Sequence, residues 1–176
     1  MAKIEYRIVV LEDGKEVLSE SLSCELIHTI ATFYPDKPSS KLFFKYAAMH
    51  PSAQVREQIA YKNQLDEESC RTLAEDNSVS VLKYLLQNNP FKEIATFENI
   101  ERIIKKDSEL ATSVAQELES FKSIDIFKLA ELVASQNDPT VALALAQNKR
   151  TPKKILLDLS MHDDPLISDL ARENLK

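Results

Sequence analysis

Apolar and polar positions in the C-terminal part of the chain follow a helical beat that keeps restarting. Val141, Ala144 and Leu145 hold the i, i+3, i+4 spacing of one stripe, and Ile167, Leu170 and Ala171 repeat it 26 residues later at the same phase. Each stripe is preceded by Asp-Pro, at Asp138-Pro139 and Asp164-Pro165, a cap followed by a first-turn residue that needs no N–H. Thr151-Pro152 is expected to start a second helix in the same way, with Ile155, Leu156 and Leu159 as its stripe. Asn148 and Asn174 stand where the first stripes run out and are expected to be the left-handed residues that end those helices. One unit therefore reads as two short helices.

The same phase recurs at Val55, Val81, Leu110, Val141 and Ile167, at spacings of 26, 29, 31 and 26 residues. Three copies are plain and five are arguable. Val55, Ile59, Ala60 and Asn63 lead to Asp66, Cys70, Leu73 and Ala74; Val81, Leu85, Leu86 and Asn88 lead to Pro90. The middle copy, with Leu110, Val114 and Ala115 and then Ile126, Leu129, Ala130 and Val133, is stretched and lacks the Asn-Pro marks, so its register between 91 and 135 stays open. A single unit has too few apolar positions to bury its own faces, so neighbours must stack.

These residues carry a resemblance. Asp138-Pro139, Val141, Leu145-Ala146, Asn148, Thr151-Pro152, Leu156 and Leu159 fit the pattern DPxVxxxLAxNxxTPxxxLxxL, which resembles the leucine-rich repeat variant, a short relative of HEAT and armadillo repeats. The resemblance is good over residues 136–176, fair over 49–90 and weak between. It implies a mainly α fold, a right-handed α-α superhelix (solenoid) of short helix pairs, and a role as a binding surface. One described member of that family holds an iron–sulfur cluster on four cysteines. This chain has two, Cys24 and Cys70, so no cluster, cofactor or metal is expected, and no catalytic residue carries over.

The N-terminus keeps a different period. Ile4, Tyr6, Ile8 and Val10 alternate with Glu5, Arg7 and Val9, and Asp13-Gly14 is followed by Glu16-Val17-Leu18, which together predict a β-hairpin turning at the only glycine. Two strands alone are marginal in water. The first helices are expected to cover one face; the alternative is a homodimer in which the hairpin edge pairs with a second copy. Ser23 then caps a helix whose apolar residues are Leu26, Ile27, Ile30 and Phe33. The segment from Pro35 to Ser40 is a loop, and a helix from Leu42 to Met49 completes an aromatic-rich end unit. The expected organisation is a hairpin over 1–22, a helical cap over 23–50 and about five repeats over 51–176, all one continuous domain.

Composition changes little in this picture. Among 176 residues, 44% are hydrophobic and 28% charged, enough for one packed domain. No apolar run approaches the roughly 20 residues of a membrane span. Two cysteines and the lack of a secretory signal give a cytoplasmic expectation.

Candidate chemistry is sparse. His50 and His162 share a repeat phase with Asp76 and Gln136, so they read as polar residues along one rim, too far apart in the stack to share a metal. His28 reads as half-buried packing, Cys70 as a core residue, and Glu67-Glu68 as acids in a first turn. No Gly-rich phosphate loop is present. The one charge feature is Lys149, Arg150, Lys153 and Lys154 around an inter-helix turn, with Arg102, Lys105 and Lys106 in an earlier unit. The expected function is a non-catalytic interaction module for a protein or peptide partner. The alternative is a nucleic-acid-binding HEAT-like protein, related to DNA base-excision enzymes, against which the net charge of −6 argues.

Overall fold

In the computed structural model, which describes residues 4–176, twelve α-helices follow one antiparallel hairpin. The strands are β1 (Arg7–Glu12) and β2 (Lys15–Ser21). The helices are α1 (Cys24–Phe33), α2 (Lys41–Ala47), α3 (Ala53–Ala60), α4 (Glu67–Ala74), α5 (Val79–Gln87), α6 (Asn89–Ile94), α7 (Phe97–Ile104), α8 (Ser108–Gln116), α9 (Ile126–Ala134), α10 (Pro139–Gln147), α11 (Lys153–Leu159) and α12 (Pro165–Asn174). Short 3-10 turns lie at Pro38–Ser40 and Leu118–Ser120.

The starts are chemically explicit. The Asp138 carboxylate accepts from the Thr140 N–H at 2.8 Å, Asp164 from Leu166 at 2.8 Å, Asp66 from Ser69 at 2.8 Å and Asp125 from Lys128 at 3.0 Å. Ser23 caps α1, and Thr96 and Asn99 form a reciprocal capping box on α7. Thr151 is a correction. Pro152, not Thr151, occupies the cap position of α11, while the buried Thr151 hydroxyl donates to the Leu145 carbonyl at 2.7 Å.

The five positions of common phase, Val55, Val81, Leu110, Val141 and Ile167, fall in α3, α5, α8, α10 and α12 and are all 0–1% exposed. Those helices form a row: α3 packs on α1 and α5, α8 on α5 and α10, and α12 on α10. A second row lies beside it, in which α4 packs on α2 and α6, and α9 on α7 and α11. Apolar side chains from both rows meet in one continuous core from Ile27 to Ala171. The stretched middle has a plain cause. Asn88 and Pro90 start α6 as the partner of α5, a further helix, α7, then precedes α8, and the 3-10 turn after α8 delays α9.

Two N-terminal expectations are corrected. In α1, Ile27 and Ala31 are the buried residues, whereas Leu26 is exposed and Phe33 is 80% exposed. The helices do not cover the hairpin. Every residue of β1 is exposed, and β2 is exposed but for a half-buried Ser19. The hairpin is tied to the helices at its root, where Tyr6 and Leu22 pack on the core and the Leu22 N–H donates to the Tyr6 carbonyl at 2.8 Å. The reason is in the strand: Ile8, Val9, Val10 and Leu11 make both faces of β1 apolar, so neither is marked as the inward one. The turn is as expected, with Asp13 at φ 49° and Gly14 at φ 76°, both left-handed as a two-residue primed turn needs.

Candidate interaction surfaces

One rung joins successive units, and it uses the asparagines. The Asn88 side-chain amide donates to the Ala60 carbonyl at 3.0 Å and the Lys62 carbonyl at 2.7 Å; Asn148 donates to Ala115 at 2.8 Å and Gln116 at 3.2 Å; Asn174 donates to Ala146 at 2.6 Å. Each therefore satisfies carbonyls left open at the C-terminal end of the preceding first-row helix. The expectation of left-handed caps at Asn148 and Asn174 is overturned: Asn148 is extended at φ −79°, as Asn88 is at −78°, and Asn174 lies within α12. In the first unit the same phase is filled by Lys62, not Asn63, and its ammonium binds the Thr32 and Tyr34 carbonyls at 2.9 and 3.2 Å. Burial draws the Lys62 pKa below its usual value against the opposing pull of Asp36. Asn63 binds the Asp36 carboxylate instead.

The shared phase of His50, Asp76 and His162 is a turn device. His50 Nδ1 accepts from the Ser52 N–H at 3.1 Å, His162 Nδ1 from Asp164 at 3.0 Å, and Asp76 Oδ1 from Ser78 at 2.8 Å, each two residues on. Gln136 differs, donating back to the Leu132 carbonyl. Asp76 also receives two hydrogen bonds from Arg56 at 2.5 and 2.9 Å, and Arg56 reaches the His50 and Pro51 carbonyls. Burial by itself would raise the Asp76 pKa; the Arg56 guanidinium and the Ser78 N–H overcome it and hold the carboxyl below its usual range. His50 is drawn below its usual value, first by burial and further by Arg56. Cys70 is buried, and burial followed by the charges of Asp66 and Glu67 pushes its thiol up to about 12, which keeps it from acting as a nucleophile. Cys24 is exposed and His28 half-buried. No group of three or more His, Cys, Asp or Glu among the described residues has the geometry to hold a metal ion.

The basic residues fall into two separate groups. Arg102, Lys105 and Lys106 lie at the C-terminal end of α7, beside the α4–α5 turn; Lys149, Arg150, Lys153 and Lys154 lie at the N-terminal end of α11, with α9 packed on both helices. Most are already partnered. Arg102 pairs with Glu75 at 3.3 Å, Lys105 with Glu101 at 2.7 Å, Arg150 with Glu119 at 2.9 Å and Lys154 with Glu131 at 3.1 Å, while Lys106 donates to Asn77 at 2.9 Å. Lys154 also sits over the Phe127 ring, 5.1 Å from its centroid. Lys149 and Lys153 make no ion pair among the described residues.

The aromatic feature at the N-terminal end is more distinctive. Tyr34 and Phe43 stack at 4.1 Å, and Tyr6 meets Phe43 edge-on at 6.3 Å. Together with Leu42, Tyr46 and Ile4 they line a recess of about 670 Å³ between the hairpin root and α2. Leu42 is 66% and Tyr46 45% exposed, so its rim is apolar and open. The Tyr6 hydroxyl is itself buried and without a hydrogen-bond partner, and burial pushes its pKa up to about 12. A buried polar atom left unsatisfied is rare and costly, and its burial closes this one to a partner lying in the recess. Sequence reading placed aromatics here but missed the recess, because Tyr6 comes from just before β1 and the others from the end of α1 and from α2. No protein-family model, no curated protein and no solved structure matches the chain.

Proposed function

We propose that the chain is a non-catalytic helical-repeat module that holds a protein or peptide partner, with its helix pairs wound as a right-handed superhelix in the manner of the leucine-rich repeat variant. The observation that carries this reading is the aromatic recess of Tyr6, Tyr34, Leu42, Phe43 and Tyr46. A peptide supplies what the recess is fitted to take, an apolar or aromatic side chain to lie on the rings. The exposed basic groups favour this over nucleic acid, since most of them face acidic partners.

Selection of peptides from a random display library against the full chain tests the reading. Selected peptides should lose at least about tenfold in affinity, near 1.4 kcal/mol, on Leu42→Glu or Tyr46→Glu and be unaffected by Lys153→Glu. Failure to select any peptide, together with duplex-DNA binding that disappears at about 200 mM salt, replaces this function with the nucleic-acid one.

A further inference from the structure

The two edges of the hairpin are unlike. β2 carries Lys15, Glu16 and Glu20, and its register slips at Val17, where the pairing passes from Val10↔Leu18 to Leu11↔Glu16. Charges and a bulge are the devices that stop an edge strand from templating another. The centre of β1 has neither. Ile8, Val9, Val10 and Leu11 run without interruption and are 45–61% exposed. A strand that is apolar on both faces has the composition of an interior strand, yet β1 has one neighbour.

The hydrogen-bond phase fixes which groups are open. The Tyr6 carbonyl accepts from Leu22, so Tyr6 faces β2, and along the unbulged β1 the alternation turns Ile8 and Val10 inward as well. The N–H and C=O groups of Arg7, Val9 and Leu11 therefore point away from β2. In an antiparallel pairing of β1 with a second β1 these outward residues must oppose one another, which requires the two-fold axis to pass through a residue. An axis at Val9 sets Val9 against itself, Ile8 against Val10 twice and the charged Arg7 against the apolar Leu11 twice, with no opposite charge level with Arg7. An axis at Val10 sets Val10 against itself, Val9 against Leu11 twice and Ile8 against Glu12 twice, and brings Arg7, already bonded to Glu5, level with the turn residue Asp13 of the other copy.

We propose that two copies of the chain pair through the outer edge of β1, antiparallel about Val10, into a four-stranded sheet. Four strands meet the need for more than an isolated hairpin that the exposed two-stranded sheet leaves open. The edge is separate from the aromatic recess, so loss of either association leaves the other measurable.

Light scattering on the full chain over a range of concentrations should give twice the 20.0 kDa of one chain at high concentration and one chain on dilution. Val9→Pro removes only an outward N–H, the one place on a strand where proline is tolerated, and should abolish the dimer without shifting helical melting. Val9→Lys, which leaves the backbone intact, should do the same. In a Cys24→Ser background, Val10→Cys should oxidise to a cross-linked dimer several-fold faster than Ile8→Cys or Val9→Cys. A wild-type mass of one chain at about 100 µM, where even weak specific pairing is populated, overturns the proposal. So does a dimer that survives both Val9 variants, and cross-linking fastest at Val9 overturns the register.

Discussion

At the scale of single residues, the rungs between units hang on a few side chains whose partners are far along the chain. Asn88 makes two donations to the preceding unit and accepts from the Phe91 N–H at 3.1 Å as the cap of α6. Asn88→Ala therefore strands two carbonyls and one N–H, and should cost about 2–4 kcal/mol in denaturant unfolding. Asn174→Ala, with its one donation near the chain end, should cost less. Leu145 is fully buried in α10, and Leu145→Ala should cost about 2–5 kcal/mol by the same measurement. Leu145 was legible from its stripe alone, because helical spacing states which face is inward. The Asn partners were not, because a carbonyl acceptor is backbone and leaves no trace in the residue types around it.

At the scale of elements, the helices and the hairpin are held by different means. The helices are short, and their stability comes from packing between rows. The hairpin has its turn and its ladder, and touches the helices at Tyr6 and Leu22. Gly14 sits at φ 76° with open space where a Cβ would be, so Gly14→Ala meets no clash and its cost is the left-handed backbone, about 1 kcal/mol. Hydrogen exchange should show faster exchange of the β1 and β2 amides in this variant with no change in α3 to α12. Helix starts at Asp66, Asp138 and Asp164 were readable because a cap and its N–H lie within one turn. The exposure of the hairpin was not, since whether a face is covered depends on where the chain goes after Leu22.

At the scale of the whole molecule, acid should act in two stages. The His50 pKa is lowered in the folded state from 6.5, so the unfolded chain binds the proton more readily, and the stability this contributes is present above pH 6.5 and lost as pH falls through the folded value. The charges facing His50 are Arg56 and, through it, Asp76, with the Tyr6 ring alongside. The second stage comes from Asp66 and Asp76, both held below 3.8, whose contribution is present above that value and lost as pH falls through their folded ones. Melting temperature against pH should thus begin to fall below 6.5, and His50→Asn, which keeps an acceptor for the Ser52 N–H, should remove that first decline and leave the second.

The sequence by itself determined the beat of the C-terminal helices: the inward stripes of Val141 and Ile167, the starts at Asp138 and Asp164, and that the N-terminus is a hairpin turning at Gly14. Those features are local, settled by side chains within a turn or two of one another. Only the tertiary structure decided what the repeats do to each other and to the surface. It set Asn88, Asn148 and Asn174 on carbonyls of the unit before, gave Arg102, Arg150 and Lys154 their acidic partners, brought Tyr6 from the foot of the hairpin onto Phe43 of α2, and left β1 uncovered. Each of these joins residues separated by tens of positions, and their meeting is fixed by how the rows stack rather than by the residues flanking them.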